Sequence, residues 1–226
     1  MQKYLSREYI LRCVVVVIAM IFNGLGLAIM RISCMGTDPY SSMNYSFSEY
    51  FGIPLGTVVM IVCAILLIVM FIFMKEALGF GTIANMLLLG NAADMWSNLL
   101  IELSGNLFDF LGKEQLLLRL VLVCVGILCM VFFNSFCISA QVGIATYDSL
   151  GYIVERNTRI SFQWARILLD SICVIVAYIV GRQNGIQWEL IGVGTVIMAF
   201  GTGPLITWIR KHISDPFVSK VVKQYI

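Results

Sequence analysis

Charge is scarce in this sequence: 12% of its 226 residues are Asp, Glu, Lys or Arg, about half the share of an ordinary soluble domain. So little charge cannot clothe a water-exposed surface, and a soluble globular fold is excluded. Histidine is reduced to His212, which lies beside Arg210 and Lys211 in a basic stretch, so a His-based metal or nucleophilic site is not expected. Cysteines at 13, 34, 63, 124, 129, 137 and 173 are odd in number, dispersed and without C-x-x-C spacing. They read as small apolar residues rather than as disulfides or metal ligands. The two Gly-x-Gly-Thr runs lack the G-x-G-x-x-G spacing of a dinucleotide fingerprint. A net charge of +2, scattered along the chain, gives no footprint for nucleic acid. No cofactor and no enzymatic activity are expected.

What is abundant is apolar surface, with 60% hydrophobic residues and a mean hydropathy of +0.91. A bilayer core about 30 Å thick takes about 20 apolar residues per helix. Six stretches meet that length: roughly 11–31, 54–74, 79–101, 116–138, 163–182 and 187–209. The expected fold is therefore all-α, a single multi-pass membrane domain over 1–226 that rests in a lipid bilayer. The first stretch follows Lys3, Arg7 and Arg12 but ends at Arg31 without a small-x-small cleavage pattern, so it is kept as a span. Basic residues predominate on one side of these spans (Lys3, Arg7, Arg12, Lys75, Arg156, Arg159, Arg210, Lys211, Lys220, Lys223). By the positive-inside bias both termini are cytoplasmic, with 211–226 a basic cytoplasmic tail, and the loop 102–115 faces outward.

The chain also repeats itself. Gly36-Thr-Asp-Pro-Tyr40-Ser-Ser42-Met43 resembles Gly143-Ile-Ala-Thr-Tyr147-Asp-Ser149-Leu150. Gly79-Phe-Gly81-Thr82 returns as Gly192-Val-Gly194-Thr195, each run followed by a further glycine, at 90 and 203. With three spans per copy, 10–102 and 115–210, the second copy is inverted relative to the first, as in many secondary transporters. The connections after spans one and four are too long for hairpins. They are expected to form half-helices or re-entrant segments, one begun by Asp38 as N-cap and Pro39 in the first turn. Their N-termini would point toward the midplane, where an anionic group could bind. Two ordinary interfacial helices are the alternative.

This combination of G-x-x-P-aromatic and G-x-G-T motifs in both halves resembles the YczE/YyaS/YitT group of bacterial integral membrane proteins. Gly36, Pro39, Tyr40, Gly79, Gly81, Thr82 and Gly90 carry the likeness in the first half; Gly143, Tyr147, Asp148, Gly192, Gly194, Thr195 and Pro204 carry it in the second. The resemblance implies a six-span protein of the bacterial inner membrane and supplies no substrate. Two positions depart from the group pattern: Ser41 stands where an Asp is expected, and Thr146 where a Pro is expected.

Charged residues inside spans normally face the bundle interior. Asp94 and Asp148 are the candidate ion-coupling groups. Arg166 and Asp170, four residues apart on one helical face, read as a structural ion pair. Substrate contacts are expected from Asp38, Pro39, Tyr40, Ser41 and Ser42, from Thr146, Tyr147, Asp148 and Ser149, and from Thr82 and Thr195. The leading expectation is a small secondary transporter or permease that moves an unidentified small solute by alternating access. A non-transporting accessory, regulatory or substrate-binding subunit, as a homo-oligomer or with a partner membrane protein, is the alternative.

Overall fold

The computed structural model describes residues 7–104 and 115–224, all in helices and short connections. Most of the 102–115 loop lies outside the described residues, as do Lys3 and the extreme C-terminus. The elements are α1 (Arg7–Ser33), α2 (Pro39–Phe51), α3 (Leu55–Phe73), a 3-10 turn (Lys75–Ala77), α4 (Phe80–Ser104), α5 (Leu116–Ser139), α6 (Thr146–Asn157), α7 (Phe162–Gln183), α8 (Gln187–Leu190), α9 (Val193–Ile209), a π turn (Arg210–Ser214) and α10 (Asp215–Gln224).

Four single helices and one longer helical run are long and apolar enough to cross a membrane: Arg7–Ser33, Leu55–Phe73, Leu116–Ser139, Phe162–Gln183 and Gln187–Val221. The predicted third stretch is a helix of 25 residues, α4, but Thr82, Asn85, Asn91, Asp94 and Ser97 leave it too polar to join that set. The last stretch is interrupted. Gly192, in extended backbone, separates α8 from α9. Beyond α9 the expected tail is helical: α10 folds back on α1 and α5, where Ser139 Oγ–H donates to Asp215 at 2.5 Å and Phe217 meets Phe136 edge-on.

The outer faces of these helices identify their solvent. Ile61, Ile65, Ile68 and Ile72 on α3, and Leu168, Ile172, Ile175 and Ile179 on α7, are all exposed at three- and four-residue intervals. Such stripes would be costly in water and are matched by lipid tails.

Helices α1 and α5 run antiparallel through the centre, with α1 also against α4. Small residues permit the approach. A Cβ on Gly26 would lie 2.7 Å from Met130 Cγ, and one on Gly126 would lie 2.5 Å from Met30 Cγ. At each end an arginine of one helix finishes the other. Arg119 donates to the carbonyls of Ser33 (2.8 Å) and Cys34 (2.5 Å), and Arg12 donates to that of Ala140 at 3.1 Å. Terminal carbonyls, unpaired within their own helices, are thereby satisfied where no water need reach them.

Candidate functional site

Two short helices, α2 and α6, occupy the connections where half-helices are expected. Asp38 is the N-cap of α2: its Oδ2 accepts the Ser41 N–H at 3.0 Å, and Pro39 takes the first position, where a missing N–H costs nothing. The N-termini of α2 and α6 meet, because the Tyr40 ring stacks on Tyr147 with centroids 4.5 Å apart.

The chain reaches these N-termini through matched detours. Cys34 and Gln141 both take positive φ, 50° and 54°, and the glycines two residues on do likewise. The segments then interlock crosswise. Thr37 N–H donates to Leu190 C=O and Gly194 N–H to Met35 C=O, at 3.1 and 2.9 Å. Ile144 N–H donates to Ala77 C=O and Gly81 N–H to Val142 C=O, at 3.3 and 2.8 Å. Each Gly-Thr motif of the sequence is thus the partner of the other half's connection. The Thr82 hydroxyl donates to Ile144 C=O at 2.7 Å and the Thr195 hydroxyl to Leu190 C=O at 3.1 Å. Both threonines are buried and committed to these main-chain contacts.

A cavity of about 1550 Å³ lies between α7 and α9, reaching α1, α5 and α6. Of the sequence-predicted residues, Asp148, Arg166 and Asp170 line it. Arg166 bonds Asp148 through Nη1, approaches Asp170 at 3.5 Å through Nε, and lies over the Tyr147 ring at 4.6 Å from its centroid. The Arg166–Asp170 pair is therefore part of a larger cluster, since Tyr147 O–H also donates to Asp170 at 2.5 Å. The corresponding contact in the first half is uncharged: Tyr40 Oη lies 3.3 Å from Cys63 Sγ. Thr146 donates to the same sulfur, and Ser149 to the carbonyl of Thr146. Ser42 bonds Leu190 C=O, and Pro39 and Ser41 are buried beside it.

Asp94 stands apart from this cluster. It accepts the Gly56 N–H at 2.7 Å and so caps α3 from the neighbouring α4. Glu76, on the cavity lining, pairs with Arg156 at 2.5 Å, both well exposed. Hydrogen bonding to its own backbone N–H, and next to Arg156, holds the Glu76 carboxyl below the ordinary carboxylate range.

The two halves differ most where α3 meets α4 and where α7 meets α9. In the first crossing the helices touch: a Cβ on Gly90 would lie 2.8 Å from Gly56 Cα and 3.0 Å from Val59. In the second, Gly203, which follows its Gly-x-Gly-Thr run at the same spacing as Gly90, lines the cavity, and a Cβ there would meet nothing within 4 Å. Gly90→Ala should therefore cost about 1–3 kcal/mol by overpacking. Gly203→Ala should stay within about 0.5 kcal/mol or stabilise slightly through helix propensity. Thermal melting of the two purified variants in detergent checks the contrast, and equal losses would contradict it.

Lipid-facing aliphatic stripes, apolar helices of spanning length and a charged cluster sunk among them define an integral membrane protein. The chain belongs to the family described as "Family of unknown function (DUF6198)", which matches residues 10–211. It is also similar to the "Uncharacterized membrane protein YczE" of Bacillus subtilis (strain 168), with 22% identity over 200 residues, covering 88% of this chain and 85% of that protein. The YczE-like resemblance drawn from the motifs is thereby borne out. No solved structure matches the chain.

The cross-half contacts were not legible in the sequence. Arg12 and Arg119 carry a signal only as charges near span ends. Nothing in the order of residues says that each faces the other helix's last carbonyls.

Proposed function

We propose that this protein is a small secondary transporter that binds a small solute between two inverted repeats and alternates access by opening one helix crossing as it closes the other. Six crossings, with both termini cytoplasmic in a bacterial inner membrane, fit this reading. In this reading helix α4 is the sixth crossing, for which its 25 residues at 1.5 Å each are long enough to pass a hydrocarbon core of about 30 Å. Two of its polar residues turn toward neighbouring helices, Asn85 to Met20 of α1 and Asp94 to the start of α3.

The observation that carries the proposal is the inequality of the two crossings. Matched glycines sit in matched helices, yet Gly90 is in contact with Gly56 while Gly203 faces open space. A transporter caught with one gate shut and the other open has this asymmetry. The cavity lining includes Arg12, Arg210 and Lys211, on the side that the charge bias assigns to the cytoplasm. The state is then inward-open.

Cysteine cross-linking tests the alternation. In a cysteine-free background, linking Gln163→Cys on α7 to Gly203→Cys on α9 should shut the cavity. Labelling of Val59→Cys, buried behind Gly90, by an impermeant thiol reagent from the outside should then rise. Unchanged protection of Val59→Cys would defeat the alternating-access reading. Solute identity follows from a thermal-shift screen of vitamins, amino acids and organic ions, with uptake into proteoliposomes of each compound that shifts the melt. Binding without flux would instead favour a substrate-binding or regulatory subunit that needs a partner.

A further inference from the structure

The helix N-termini that could attract an anion are already supplied with carboxylates. Asp38 Oδ2 takes the Ser41 N–H of α2, and Asp148 stands in the first turn of α6. Counted together, Asp38, Asp148 and Asp170 set three carboxylates against one guanidinium, Arg166. Helix α2 packs along α7, where Ser46 Oγ–H donates to Ala177 C=O, and Tyr40 stacks on the Tyr147 ring whose hydroxyl bonds Asp170, so Asp38 at the head of α2 stands on the side of α7 that carries Asp170. Arg166 is engaged by Asp148 and Asp170. The Asp38 Oδ1 atom is buried with no hydrogen-bond partner among the described residues. A bare carboxylate oxygen in such a place is costly, so the cluster is short of positive charge. The three carboxylates do not converge as ligands for a metal ion.

We propose that Asp38 and Asp170 form the proton site of this protein, so that the coupling ion is H⁺ rather than a charge bound at Asp94. The proposal rests on the transporter reading and deepens it. Asp170 lines the cavity, whereas Asp38 does not. A proton from cavity water binds the Asp170 carboxylate, whose attraction for Arg166 then falls and leaves the guanidinium to Asp148. The same proton passes to Asp38 and leaves to water when the α3–α4 crossing opens. One O–H bond forms as another breaks, and no other co-reactant is needed. Asp94 is unsuited to this part because it neither lines the cavity nor touches Arg166.

The titratable and charged groups facing the pair are Tyr40 and Tyr45 from α2, Cys63 from α3, Tyr147 and Asp148 from α6, and Arg166 and Cys173 from α7. Glu189 of α8 is turned to Arg31, and α9 contributes none. The pair thus responds to pH among phenols, thiols, one carboxylate and one fixed cation.

Infrared spectra of the protein reconstituted in lipid, titrated from alkaline to acid pH in H₂O and D₂O, test the assignment without a known solute. The expected result is a reversible carboxylic acid C=O band that shifts in D₂O, loses intensity in Asp38→Asn and in Asp170→Asn, and is unchanged in Asp94→Asn. The two asparagines keep acceptors for Ser41 N–H and Tyr147 O–H, which favours folding. Asp38→Glu, which retains the acid but displaces it, must move the midpoint of the titration. The proposal is overturned if wild type shows no such band, if both asparagine variants retain it in full, or if Asp38→Glu leaves the midpoint in place. Any of these results leaves alternating access standing on the cross-linking experiment. A failed cross-linking experiment, conversely, leaves a titrating acid pair without a transport cycle.

Discussion

Gly36→Ala is expected to be among the most damaging single-methyl changes in this protein, lowering stability by about 3 kcal/mol or more. Two costs coincide there. The residue has φ of 96°, where an L side chain is strained. A Cβ would also stand 2.5 Å from Thr195 Oγ1 and 2.6 Å from Gly192 N. The second neighbour is backbone and cannot swing aside, so Gly192 would be pushed away together with the Gly194 N–H bond to Met35 C=O. Gly52→Ala separates the two costs, because Gly52 has φ of 63° but a methyl group there would find nothing within 4 Å. It should lose only about 1 kcal/mol. Thermal melts in detergent, read beside yield from membranes, measure both. Equal losses at 36 and 52 would show that the interlock tolerates separation.

Arg166→Gln should destabilise the protein by about 2 kcal/mol, because it leaves Asp148 and Asp170 without their shared cation. Stripping one partner from a fully buried pair costs about 3–5 kcal/mol. The lower figure applies here because Arg166 and Asp148 side chains are 35% and 27% exposed to a cavity that water can enter. Adding Asp148→Asn to Arg166→Gln should recover part of the loss, since one stranded charge is then gone. A double-mutant cycle on melting temperature gives the coupling. Arg156→Gln is the comparison: its Glu76 pair is 60% and 61% exposed, and the change should leave the melting temperature where it was.

Several features of this molecule were open to inspection of its sequence, and the physical reason differs for each. Apolar length announces helices, and Asp38-Pro39 announces the start of α2 because cap and first-turn preferences are local. The motif echo finds the connections that interlock, because both copies need glycine at the positive-φ turn. Sequence spacing also brings Arg166 and Asp170 to one face, but it cannot bring Asp148, which arrives from α6. Asp94 shows the same limit. A carboxylate within an apolar stretch reads as an ion site, while its actual partner is an amide on another helix. Nor can an echo reveal inequality: Gly90 and Gly203 are equivalent as letters and opposite as environments.

The reciprocal arginines have a consequence for biosynthesis. As the chain emerges from the ribosome, α1 can enter the membrane at once, but the carbonyls of Ser33 and Cys34 wait for Arg119, and Gly36 and Thr37 wait for Glu189 and Leu190. Neither half can finish its own ends, so maturation has to be a late, single event in which the nascent first half is held unfinished until the second is translated. An insertase or chaperone that shelters the early half would meet a sheltering need that chains with self-sufficient halves do not present.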